Sequence, residues 1–127
     1  MKLIARSHKR AGVDAAMATY IRWRLDRVIE EDAWCYAELD ETRWVTRYVE
    51  RRENNDDATF AAASLAEEMR LRDEEGLPAL SAYHSEYGWT PEAAVEYRFR
   101  EISVEQFEAI WRQARHACEA GLRAHRR

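Results

Sequence analysis

The chain has 127 residues, the length of one domain, and 46 % hydrophobic residues with only four Gly and two Pro, which excludes a disordered or collagen-like chain. Its net charge of −4 is unevenly spread: Lys2, Arg6, Lys9 and Arg10 put +4 on residues 1–12, Arg123, Arg126 and Arg127 put +3 on residues 120–127, and residues 13–119 stand at −11. A body this acidic repels phosphate, so no nucleic-acid partner is expected, and a basic protein is the partner that suits it.

No stretch approaches the ~18 uncharged apolar residues of a membrane helix, so no membrane partner is expected. The basic start is followed by no apolar run, so no secretory signal is expected and a cytoplasmic protein is. Cys35 and Cys118 lie in neither a CxxC nor a zinc-ligand spacing and read as reduced thiols.

In chain order, residues 1–18 read as a basic lead-in. Ile21, Trp23 and Leu25 then alternate with Arg22 and Arg24, the pattern of a half-buried strand with an arginine-bearing outer face. Residues 33–39 and 43–50 are both of strand type, and Asp40-Glu41-Thr42 between them predicts an antiparallel hairpin. Asn54-Asn55-Asp56-Asp57 is the strongest turn signal in the chain, and residues 58–62 can return as a fourth strand.

Ser64-Leu65-Ala66-Glu67 is a capping box opening a helix that Gly76 closes. A second short helix is expected over Pro78–Tyr87, and a helical turn at Thr90-Pro91-Glu92. Val95 to Ile102 alternates without fault and predicts the last strand. Ser103-Val104-Glu105-Gln106 opens a closing helix with Val104, Phe107, Ile110, Trp111, Ala114 and Cys118 along one side. The expectation is a single α+β domain over 1–127. Four to five antiparallel strands and the closing helix occupy 19–118, short helices precede the last strand, and 119–127 is a basic tail.

The run Tyr36-Ala37-Glu38-Leu39-Asp40-Glu41-Thr42-Arg43-Trp44, followed by Arg47-Tyr48-Val49-Glu50, is similar to the core of a family of uncharacterised small bacterial domains. Their pattern is Y-S-E-L-D-x-x-R/W, then V-R-K-V-E, then a D-G turn. Glu101-Ile102-Ser103-Val104-Glu105-Gln106-Phe107-Glu108-Ala109-Ile110-Trp111 resembles the same family's E-I-S-x-E-E-F-E-x-x-W, and Tyr20-Ile21-Arg22-Trp23 its opening strand. The likeness covers about residues 19–112. Asn54 to Asp57 replace the D-G turn, and the segment from Ser64 to Glu92 is longer than the family's loop. The resemblance implies a strand-rich domain closed by a helix, of an immunity-like or accessory binding kind. It carries no reaction.

Four glycines cannot build a phosphate-binding loop, and neither HExxH nor GxSxG is present, so neither a metal nor another cofactor is expected. Arg22, Arg24, Glu38, Arg43, Arg47, Glu50 and Arg98 all project from predicted strands. On one solvated face they would form a mixed-charge surface that recognises a basic protein, with any exposed Trp as an anchor. The bland explanation is an ordinary solvated face. The alternative function is a cofactor-free enzyme or ligand binder with an aromatic pocket, His84 as general base, Glu86 or a sheet carboxylate orienting it and Tyr87 donating. That segment is equally readable as a surface turn anchored by aromatics.

Overall fold

Runs rich in β-branched and aromatic residues form a meander. Its strands are β1 (Thr19–Leu25), β2 (Asp32–Leu39), β3 (Val45–Asn54) and β4 (Asp57–Ser64). Helix α1 (Leu65–Glu75) follows, then β5 (Arg100–Ile102) and α2 (Val104–His125). The structure is a computed structural model, and it describes residues 18–25, 32–54, 57–76, 79–84 and 98–125. The five strands form one antiparallel sheet in the order β4-β3-β2-β1-β5, so the domain is α+β.

The β2–β3 hairpin is set by one side chain. Asp40 Oδ1 accepts hydrogen bonds from the Thr42 and Trp44 amides (2.9 and 3.0 Å) and the Thr42 hydroxyl (2.8 Å). This Asx arrangement holds Arg43 at φ 68°, a left-handed conformation that a non-glycine residue adopts only when its surroundings enforce it.

Register divides the sheet into two faces. Under α2 lie Tyr20, Val49 and Ala62, packed with Phe107 and Ala114 of the helix and flanked by Tyr36, Phe60, Ile102, Val104, Ile110 and Trp111. The expected helix stripe therefore covers the sheet. Ile21, Trp23, Ala33, Cys35, Ala37, Leu39, Val45 and Tyr48 form a second buried cluster on the opposite face. Burying Phe107 completely is worth roughly 2–3 kcal/mol, among the largest single contributions to the core.

Both capping signals hold. Ser64 Oγ accepts from the Glu67 amide at 3.2 Å. Ser103 and Gln106 exchange hydrogen bonds of 3.0 and 2.8 Å, a complete capping box. Gly76, at φ 83°, returns its amide to the Arg72 carbonyl and ends α1.

Three expectations change. The closing helix, expected to end near Gly121, runs through it to His125, absorbing most of the expected tail. A Cβ at Gly121 would meet nothing, so this glycine costs only helix propensity. The last strand is three residues long. Residues 98 and 99 lie outside it, because only Arg100 to Ile102 find partners on β1. Residues 79–84 form turns where a helix was expected: the Tyr83 carbonyl accepts from the Ala62 amide at 2.7 Å, and the Ser81 amide donates to Glu68. The lead-in to residue 17, the turn at 90–92 and residues 95–97 lie outside the described residues.

Those contacts also protect the edge of the sheet. Among the described residues β4 has no strand neighbour on its outer side, yet Ala62 is bonded there through both backbone groups, its carbonyl accepting from Arg115 Nη1 at 3.0 Å. Cys118 Sγ donates to the Phe60 carbonyl at 3.4 Å. An edge dressed in this way resists pairing with another chain.

Candidate functional site

Adjacent strands place Tyr20, Glu38 and Arg47 in one row across β1, β2 and β3, at the end of the sheet that α2 crosses first. Glu38 is only 3 % exposed. Its carboxylate accepts from Tyr20 OH (3.0 Å), Thr46 Oγ1 (2.8 Å), and Arg47 Nε and Nη2 (3.0 and 2.7 Å). The same guanidinium donates to both oxygens of Glu108 on α2, at 3.1 and 2.6 Å. It also lies 5.0 and 5.1 Å from the ring centres of Phe107 and Trp111.

The electrostatics follow from this closure. Burial works against the Arg47 charge, but the hydrogen bonds to Glu38 and Glu108 outweigh it and hold its pKa above the ordinary value. The hydrogen bond from Arg47 holds Glu108 below the usual carboxylate range. Burial, reinforced by the neighbouring Glu38 charge, pushes Tyr20 up to about 12. Four of the five guanidinium N–H groups and all four carboxylate oxygens are engaged. The cluster clamps helix to sheet.

Glu50 points to the other face, also 3 % exposed. Its carboxylate accepts from Tyr48 OH at 2.9 Å and Arg52 Nε at 2.6 Å, and Cys35 Sγ lies 3.3 Å from the same tyrosine oxygen. Burial pushes the Cys35 thiol up to about 12 and Tyr48 well above the phenol range. A thiol so protonated is a poor nucleophile.

A third cluster joins the helices. Glu67 takes a bidentate pair of bonds from Arg115 (2.9 and 3.0 Å), whose guanidinium stacks 3.7 Å from the centre of the Tyr83 ring. Its neighbour Glu68 is buried, accepts from the Ser81 amide, and lies 3.2 Å from His84 Nδ1. The His84 side chain is 9 % exposed. The carboxylate beside His84 is thus one from α1 that sequence reasoning passed over. Glu86 and Tyr87 lie outside the described residues.

The seven residues expected on one solvated face do not share one. Glu38 and Arg47 are enclosed beneath α2, Glu50 is buried on the opposite face, and Arg22 is half-buried. Arg24, Arg43 and Arg98 are exposed. Both acidic members are internal because the sheet is covered on two sides, so every member left accessible is an arginine. Arg43 finds aromatic company: its guanidinium carbon is 6.0 Å from the centre of the Phe99 ring. Phe99 adjoins Arg98 and is 38 % exposed, while Trp44, next to Arg43 in the hairpin turn, is 44 % exposed.

Sequence reasoning also missed Glu108 and Arg115, although a signal was present. Both sit on the margin of the apolar stripe of α2, Glu108 after Phe107 and Arg115 after Ala114. A charge there faces the sheet and needs a partner. Among the described residues no three His, Cys, Asp or Glu side chains gather as metal ligands, and no helix is long and apolar enough to cross a membrane. No protein-family model, curated protein or solved structure matches the chain.

Proposed function

We propose that this is a binding domain that recognises another protein, with Arg43, Trp44, Arg98 and Phe99 as its anchor residues. The observation that carries the reading is the exposure of Trp44 and Phe99 beside arginines, in a domain whose other tryptophans among the described residues are buried or half-buried. Tryptophan and arginine dominate the energetics of protein interfaces, and a rigid turn presents them at little entropic cost. The Asp40-centred hydrogen bonds supply that rigidity.

The test is a complex rebuilt from purified components, after a stoichiometric partner has been isolated from the source cells. Trp44→Ala with Phe99→Ala weakens that complex about tenfold or more and leaves thermal unfolding almost unchanged. An affinity indifferent to both substitutions, or recovery of the domain alone, overturns the reading.

The 3.2 Å approach of Glu68 to His84 favours a second reading, a cofactor-free enzyme or ligand binder around His84. A carboxylate that fixes an imidazole is the usual support for a general base. Under it, His84→Ala abolishes the activity, whereas under the first reading the same substitution leaves partner binding almost intact.

A further inference from the structure

We infer that the outer edge of β5 takes an extended segment of the partner protein as a further antiparallel strand, paired through the backbone of Glu101. The inference rests on the protein-binding reading and adds how the partner is held. Arg98 and Phe99, two of the anchor residues, lead directly into this edge.

The direction of each backbone group follows from the register. In an antiparallel sheet the N–H and C=O of one residue point to the same side, and successive residues alternate. Ala62 turns both outward, to the Tyr83 carbonyl and to Arg115. Its partner Val49 therefore turns both toward β2 and exchanges bonds with Tyr36, so Tyr36 turns away from Arg22. Arg22 in turn exchanges bonds with Arg100 on β5. This phase leaves Glu101, the next residue, with its N–H and C=O directed away from β1.

The two edges of the sheet are finished differently. On β4 the outward groups of Ala62 and the Phe60 carbonyl are occupied. On β5 no group among the described residues bonds Glu101 from the outer side. Its surroundings are open as well: Arg98, Phe99, Arg100 and Glu101 are all exposed, while Ile102 packs against the core under α2. A strand whose outer donors and acceptors face solvent is a template for another strand.

Side chains choose the occupant. A second copy of this chain, paired about a two-fold axis through the outward residue, sets the Glu101 carboxylate against its own counterpart, and like charges directly opposite each other are destabilising. A different chain can meet the edge with complementary groups: a basic residue opposite Glu101, an acidic one opposite Arg100 and an apolar one opposite Ile102. Antiparallel pairing is the arrangement throughout this sheet and the more stable one per residue. Read from its own N-terminus, the docked segment is therefore apolar, basic, acidic.

The peptide acetyl-Thr-Thr-Val-Lys-Glu-Thr-Thr-amide, titrated into the isotope-labelled full chain and followed by NMR, tests this. The expected result is saturable binding that moves the Glu101 amide resonance, weakened about tenfold or more when the lysine amide of the peptide is N-methylated. Glu101→Pro is expected to weaken binding as much and to keep the fold, because its N–H takes no part in the pairing with β1. Should that variant unfold, the N-methylated peptide decides. Absence of saturation, equal affinity of the N-methylated peptide, or equal affinity of a folded Glu101→Pro chain overturns the inference. So does a wild-type dimer that Glu101→Pro dissociates, since the occupant is then a second copy. Trp44→Ala separates the two readings. A partner complex that depends on Trp44 and ignores a folded Glu101→Pro sinks only the strand pairing, and a complex indifferent to Trp44 sinks the binding-domain reading itself.

Discussion

One face of one sheet holds arginines in two opposite conditions. At the α2 end, Arg47 lies between Glu38 and Glu108 and beside two aromatic rings, with its charge consumed in holding helix to sheet. A few residues along the same strands, Arg22 and Arg51 lean on Trp34 and Tyr36 with buried Nε atoms that meet no acceptor. Residue type does not separate the two ends. Carboxylate placement does: Glu38 and Glu108 enclose the first guanidinium, whereas Arg51 has the half-exposed Glu53 beside it and leaves its Nε without an acceptor. An arginine on a sheet is clamped or left short of an acceptor according to what its neighbours across the strands supply.

The contrast can be broken at its core first. Phe107→Ala, at the closed end, is expected to destabilise the domain by about 3–5 kcal/mol in urea titrations, while Phe99→Ala at the exposed patch stays within about 0.5 kcal/mol. Equal effects would mean that α2 does not carry the core. Next, Arg47→Met strands the buried Glu38 carboxylate and is expected to cost about 3 kcal/mol or more. Arg51→Met loses one half-exposed ion pair with Glu53 and is expected to cost no more than about 1 kcal/mol. If Arg51→Met costs as much as Arg47→Met, the two ends are not different in kind.

A smaller effect sharpens the comparison through pH. The pKa of Glu108 is lower in the folded state, so its contribution to stability is complete above the unfolded value, about 4.3, and is lost as pH falls through the depressed folded value. Stability measured by urea midpoint across the acid range should therefore fall less steeply in Glu108→Gln. An unchanged slope would detach Glu108 from the clamp. The smallest effect is kinetic. With Ellman's reagent, half-buried Cys118 is expected to react before Cys35, whose buried thiol is pushed up to about 12 and reacts only as the domain opens.

Much of the fold was legible in the sequence because it is local. The alternation of Ile21, Trp23 and Leu25 marks β1, residues suited to a pleated surface mark β2 and β3, the serines at 64 and 103 mark the helix starts, and the stripe from Val104 to Cys118 marks the face that α2 buries. The site was less legible, for a physical reason. Alternation shows which residues share a face of a strand, and nothing in it says that something covers that face. Glu38 and Glu50 fit the pattern of solvated positions, yet one lies beneath α2 and the other faces the second core. Length fails in the same way at β5. The alternation from Val95 to Ile102 promises eight residues, but the described part of the strand is only as long as its pairing with β1. The Glu68–His84 contact joins residues sixteen apart across a helix and a turn, and no local pattern announces it.

Exchange of the arginine Nε protons of the folded protein with solvent, followed by NMR, tests the division between the two ends most directly. The Arg47 Nε proton, bonded to Glu38, is predicted to exchange more slowly than those of Arg22 and Arg51, which have no acceptor. Exchange at Arg47 as fast as at Arg22 and Arg51 would contradict that division.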